Sequence, residues 1–164
     1  MVVDVTDEHV DLLLDAERFA SEIVWATLAT VGPDGRPRTR VVHPVWWFDT
    51  GDPATGGIRG LVGTRPTAVK RRHLAACPFV SVSYWGPSHH TVVFDCAARW
   101  LAADERPRAW AAIAAAPEPL GYDPAPIWPG GPTSDDFAVV ELRPHRMVVR
   151  AAGQPGRVWR APTA

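Results

Sequence analysis

Between residues 25 and 48 two strand-like runs, 25–31 and 36–48, are separated only by the turn Gly32-Pro33-Asp34-Gly35. A connection that short joins strands only as an antiparallel hairpin. A second pair follows the same logic. Phe79-Val80-Ser81-Val82-Ser83-Tyr84-Trp85 alternates apolar and small polar residues, Gly86-Pro87-Ser88 turns the chain, and a strand is expected over 91–101. Further strands are expected over 58–63, after a loop at 49–57, and over 137–151, which carries Val139, Leu142, Met147 and Val149. Antiparallel strands interrupted by a few helices, in a chain of 164 residues, favour a small closed or half-open barrel over a parallel sheet with crossovers. That length suits one sizeable core, so residues 1–164 are expected to form a single domain.

Three helices are expected. The first, over 7–21, takes Thr6 as N-cap and buries Val10, Leu13, Leu14 and Phe19. The second runs over 66–76 and stops before Pro78. The third, over 105–115, is rich in Ala and capped by Asp104. Residues 117–133 are rich in Pro and Gly and read as an irregular segment, either a dimer arm or a lid over a substrate. Arg157-Val158-Trp159-Arg160 is expected to be a frayed terminus.

A formal net charge of −1 and a pI near 6.6 argue against broad electrostatic binding of nucleic acid or anionic membrane. No apolar run is long enough to span a bilayer, and Met1-Val2-Val3-Asp4 lacks the regions of a signal peptide, so a cytoplasmic location is expected. Cys77 and Cys96 belong to no Cys-x-x-Cys pair and are expected to be buried thiols. His89-His90, Asp95 and Cys96 do not make a metal site, because adjacent histidines point apart. No nucleophile elbow, Walker loop or dinucleotide-binding glycine motif is present.

The basic residues are local. In Leu61-Val62-Gly63-Thr64-Arg65-Pro66-Thr67-Ala68-Val69-Lys70-Arg71-Arg72 an apolar run ends in Gly-Thr and a basic helix follows. With Thr64 as N-cap and Pro66 in the first turn, the helix N-terminus together with Arg65 and Lys70 forms an anion cradle; the alternative is an ordinary capped helix with a solvated basic face. On the earlier strand, period two places Arg36, Arg38 and Arg40 on one face with Val42 and Pro44.

This order of parts, from the Arg-bearing strand through Gly-Thr-Arg to the Lys-bearing helix ending at Cys77-Pro78, resembles the pyridoxamine 5′-phosphate oxidase-like family of flavin-binding split barrels over about residues 25–103. The resemblance implies a split β-barrel, mainly β with a few helices. It implies that Arg40, Thr64 and Lys70 bind the phosphate of FMN and that the backbone of Val41, Val42 and His43 lines the flavin ring; the anion cradle read from the residues adds Gly63 and, as a further cation on the phosphate, Arg65. The six-residue step from Thr64 to Lys70 agrees with the family pattern. A second family Lys, five residues after the strand Arg, is here Val45. The Gln that reaches the flavin from the neighbouring subunit falls near His90 or Thr91, so a homodimer with a shared cofactor groove is implied. The C-terminal Arg, His and Asp motif of authentic pyridoxamine 5′-phosphate oxidases is absent, so that activity is not expected.

The reaction class implied is hydride transfer between flavin and a small organic substrate, with the flavin supplying the chemistry. No side chain is marked as a required acid or base. His43 is either a proton donor near the ring or a structural residue before Pro44. The deazaflavin cofactor F420 is the rival, since its acidic tail would reward Arg36, Arg38, Arg71 and Arg72, and a non-catalytic flavin- or haem-binding stress protein is the other alternative. Most of the eight tryptophans are expected in the core or an interface. Trp46 and Trp47 face opposite ways, so only one of them can face the flavin, and Trp85 is an interface candidate.

Overall fold

The computed structural model describes residues 7–48 and 57–161. The elements run α1 (Asp7–Ile23), β1 (Ala26–Val31), β2 (Pro37–Val42), β3 (Val45–Phe48), β4 (Ile58–Thr64), α2 (Ala68–Ala76), β5 (Phe79–Trp85), β6 (Thr91–Trp100), α3 (Arg106–Ala115), β7 (Ala138–Arg150) and β8 (Arg157–Arg160). The strands form one sheet in the order β2-β1-β5-β6-β7-β4-β3, with β8 added to β7, and every pairing in it is antiparallel.

The closure of this sheet follows from chain length. β2 and β3 lie at opposite ends of the strand order, yet only His43 and Pro44 separate them. Two intervening residues span no more than about 10 Å. The sheet therefore curls until its ends meet at that corner, which makes it a split β-barrel. One continuous strand over 36–48 is thereby corrected to two. Pro44 has no N–H and restricts His43, so the ladder of β2 cannot pass through it, and the chain turns the corner there.

Trp46 shows how the interior is filled. Its indole stacks on Phe94 at 4.4 Å between ring centroids, and its Nε1 donates to the Tyr84 hydroxyl at 2.8 Å. Gly60 lies opposite Trp46 in the β3–β4 register, and a Cβ there would stand 2.6 Å from the indole. Trp47 is half-buried on the other face, and neither tryptophan lines the cleft described below.

Helix α1 covers the barrel with Leu12, Leu13, Ala16 and Ala20, while Leu14 is 53% exposed and leaves the stripe expected of it. The expected Thr6 cap and most of the 49–57 loop lie outside the described residues. The third helix has Glu105, not Asp104, at its N-cap, and the Glu105 carboxylate is turned to Arg99 and to the Ala102 N–H instead of capping the helix. The C-terminal segment is not frayed. Its alternation places Trp159 in the core, 4% exposed, and β8 pairs with the second half of β7. Cys96 is buried, which raises its thiol pKa, but Cys77 at the end of α2 is only half-buried.

Candidate functional site

The second helix begins later than its sequence suggests. Thr67, in extended backbone, is the N-cap and its hydroxyl accepts from the Lys70 N–H at 3.4 Å. Thr64 is still in the β4 ladder and Thr67 supplies the capping hydroxyl instead, so Pro66 is left in the linker and helix α2 starts at Ala68. Thr64 is thus the last residue of β4, not the cap, and its hydroxyl serves a different partner. Lys70, in the first turn of α2, swings back so that Nζ donates to Thr64 Oγ1 at 2.5 Å and to the Arg65 carbonyl at 3.1 Å.

Arg40 approaches from the other side. It lies opposite Leu28 and diagonal to Thr30 across the β1–β2 register, on the face of β1 that turns inward, and its Nη1 donates to Thr30 Oγ1 at 2.8 Å. Arg40, Val41, Val42, His43, Gly63, Thr64 and Lys70 line one cleft of about 200 Å³, together with Trp25, Tyr122, Ile127 and Trp128. A narrow apolar extension behind it shares Arg40, Val42, Thr64 and Lys70 and is lined by Leu28, Leu74, Val80 and Trp100.

The electrostatics are one-sided. Among the described residues no carboxylate pairs with Arg40 or Lys70. Burial lowers the pKa of Lys70, and Arg40 and Arg65 lower it further. Burial and then Arg38 lower that of Arg40 in the same way. Two partly desolvated cations that repel each other are a cost to the fold unless an anion joins them.

One wall of the cleft comes from residues 117–133, which lie against their own barrel. His43 stands between Trp25 and Tyr122, with ring centroids at 5.2 and 4.6 Å, and its Nε2 donates to the Leu120 carbonyl at 2.9 Å. Burial lowers the His43 pKa, and the Leu120 and Pro119 carbonyls oppose that shift. With Nε2–H engaged, His43 ties the β2–β3 corner to the 117–133 segment. Gly63 makes the close approach of this wall possible, because a Cβ there would stand 2.8 Å from the Tyr122 hydroxyl and 3.2 Å from the Trp128 ring. The outer edge of β2 is free: among the described residues it pairs only with β1, so half of its backbone groups face the cleft side without a strand partner.

The model of the pyridoxamine 5′-phosphate oxidase family matches residues 14–150. The chain belongs to this family. Curated protein sequences give no match. Among solved structures, the barrel is similar to a general stress protein 26-related protein of the pyridoxinephosphate oxidase family from Clostridium acetobutylicum, at a TM-score of 0.70 and 10% identity over 92% of this chain and 94% of that one. It is similar to a heme-binding protein from Mycobacterium smegmatis, with TM-score 0.66 and 21% identity over 91% of this chain and 57% of that one. A third is a pyridoxamine 5′-phosphate oxidase-related, FMN-binding protein from Nostoc punctiforme, with TM-score 0.61 and 15% identity over 96% of this chain and 90% of that one. At such identities these likenesses establish the shared fold.

Two residues expected in the site from the sequence stand apart from the cleft of this family member. Arg65 is exposed, and only its backbone carbonyl joins the Lys70 network. Thr91, at the start of β6, lines a separate cavity of about 560 Å³ with Asp15, His90 and Arg157. Conversely, the cleft takes Trp25, Tyr122, Ile127 and Trp128, to none of which a sequence motif gives a cofactor-binding role. The aromatic and proline content of 117–133 was visible, but no local pattern says which part of the barrel an irregular segment covers. No helix among the described residues is long and apolar enough to cross a membrane.

Proposed function

We propose that the cleft binds FMN, with its phosphate between Arg40 and Lys70. The observation that carries this reading is the pair of partly buried cations that have no carboxylate partner among the described residues, set at the mouth of an apolar cleft. A phosphate there would receive charge-assisted hydrogen bonds from both side chains and relieve their repulsion. Thr64 would hold the ammonium in place, and the free edge of β2 at Val41 to His43 would face the ring with backbone donors and acceptors. Trp25, Tyr122 and Trp128 supply the flat apolar surface that a fused ring system needs.

The cleft of one chain is too small for the whole cofactor. About 200 Å³ falls short of the roughly 300–1,000 Å³ typical of ligand pockets. Its rim is exposed and apolar, with Val41 at 71%, Trp25 at 59% and Ile127 at 50%. A second copy of the chain seated on that rim would complete the site and cover these side chains, and Thr91 would reach the cofactor only from such a partner. We therefore read the protein as a single-domain homodimer with two shared sites.

When bound, FMN would supply hydride transfer to or from a small organic substrate. The chain's contribution is binding, orientation and exclusion of water by the 117–133 wall. His43 is a positioning residue in this reading, since its Nε2–H is already given to Leu120. Titration of the purified chain with FMN, followed by flavin fluorescence and absorbance near 450 nm, tests the binding. Turnover with a reductant separates an enzyme from a non-catalytic flavin or haem binder.

A further inference from the structure

The Arg40 guanidinium is held from behind by two buried polar residues. Thr30 and His73 are each 3% exposed, Arg40 Nη1 donates to Thr30 Oγ1 at 2.8 Å, and Thr30 Oγ1 lies 3.0 Å from His73 Nδ1. These three residues come from β2, β1 and α2, and α2 also carries Lys70 three residues before His73. We infer that Thr30 and His73 are positioning residues that fix the separation of Arg40 and Lys70, and that protonation of His73 loosens the anion cradle. The inference rests on the FMN reading and adds to it a pH-dependent control of cofactor retention.

Arg40 can only donate, so Thr30 Oγ1 accepts from it, and the hydroxyl keeps its proton and a second lone pair for His73 Nδ1. In the proposed arrangement the hydroxyl donates to Nδ1 of a neutral imidazole whose proton sits on Nε2. The surroundings favour that form: burial lowers the His73 pKa, Arg40 and Arg38 on β2 and Arg72 on α2 lower it further, and only Asp34 in the hairpin turn opposes them. Protonated His73 would carry a proton on Nδ1 aimed at Thr30, whose hydroxyl would lose its acceptor, and would place a third positive charge beside Arg40. Buried networks of this kind tolerate no unsatisfied member cheaply.

The test is an FMN titration from pH 5 to 8 on the full chain and three variants, with thermal unfolding as a folding control. Thr30→Val should weaken FMN binding roughly tenfold at pH 7.5, the scale of one lost hydrogen bond to a charged group. Thr30→Ser, which keeps the hydroxyl, should restore it. His73→Asn keeps an acceptor at the Nδ1 position and cannot titrate. FMN's phosphate itself titrates near pH 6 and weakens binding in every variant. The wild type should lose additional affinity on acidification that His73→Asn does not, and imidazole NMR should show the Nε2–H tautomer at neutral pH. Parallel pH profiles for wild type and His73→Asn, or unchanged affinity in Thr30→Val, would overturn the inference while leaving the FMN reading intact. Absence of FMN binding by the wild type would overturn both.

Discussion

The Lys70 ammonium donates to the Thr64 hydroxyl at 2.5 Å, from the first turn of α2 back onto the last residue of β4. This contact sets the cation beside Arg40 and not out in solvent. Lys70→Ala should therefore lower FMN affinity by roughly 1.5–3 kcal/mol, the range for hydrogen bonds to charged groups. The melting temperature should change little, because the variant also removes a repulsion with Arg40. Unchanged affinity in a fluorescence titration would take Lys70 out of the site.

The exposed rim at Trp25, Val41 and Ile127 leads to an assembly prediction. Light scattering should report a dimer at micromolar concentration, and its interface should bury more than about 1,000 Å², the usual floor for specific contacts. Val41→Glu would place a charge in the middle of that surface and should shift the equilibrium toward monomer while weakening FMN binding in parallel. A monomer that binds flavin tightly would exclude the shared site.

Much of this architecture was legible locally. The Pro33-Asp34-Gly35 hairpin, the β5–β6 pair and the six-residue step from Thr64 to Lys70 are short-range features, and the structure retains each of them. What could not be read depended on tertiary partners. The corner at His43-Pro44 was hidden because both flanking segments favour β structure, and only barrel closure explains why they separate. Trp159 could be placed only by knowing that the second half of β7 offers a free edge. Arg36, Arg38 and Arg40 look equivalent by period, yet only Arg40 is drawn inward, because Thr30 lies diagonal to it with a hydroxyl to receive it.

Two glycines should differ in a measurable way. Gly60→Ala would drive a Cβ against the Trp46 ring, which is fixed by Phe94 and Tyr84, and should cost about 1–3 kcal/mol of stability. Gly63→Ala would instead meet the Tyr122 hydroxyl, the far end of a side chain that can move. That variant should be milder in chemical denaturation but should disturb the cleft wall and weaken ligand binding. The reverse order of stabilities would contradict the packing described here.

On the face of β7 opposite to Val140, the Glu141 carboxylate is 1% exposed and accepts from Arg59, Arg99 and Arg143 at 2.8, 2.6 and 3.2 Å. Burial alone would raise its pKa, but the three guanidiniums outweigh it and hold the group below the usual carboxylate range. A carboxylate with a depressed folded pKa stabilises above its unfolded value, about 4.3, and loses that contribution as pH falls through the folded value. Glu141→Gln should thus cost about 3 kcal/mol at pH 7, as expected when one partner of a buried charge cluster is removed. The difference from wild type should shrink in denaturant titrations as pH falls below about 4 toward the depressed folded value, where the wild-type carboxyl also becomes neutral.

Cofactor choice turns on how far the positive charge extends. FMN needs two or three cations around one phosphate, whereas the oligoglutamate tail of F420 needs a longer track. Arg40 and Lys70 supply a compact pair at the cleft. Arg71 is already engaged, with its guanidinium 5.5 Å above the Trp100 ring and its Nε donating to the Pro66 carbonyl. Arg36, just before β2, is engaged loosely by Asp34 at 3.8 Å, and exposed Arg38 has no carboxylate partner among the described residues. Comparative titrations should accordingly show tighter binding of FMN than of F420, with a salt dependence shallow enough for a single phosphate. Tighter binding of F420, falling steeply as salt screens an extended track, would reverse the assignment.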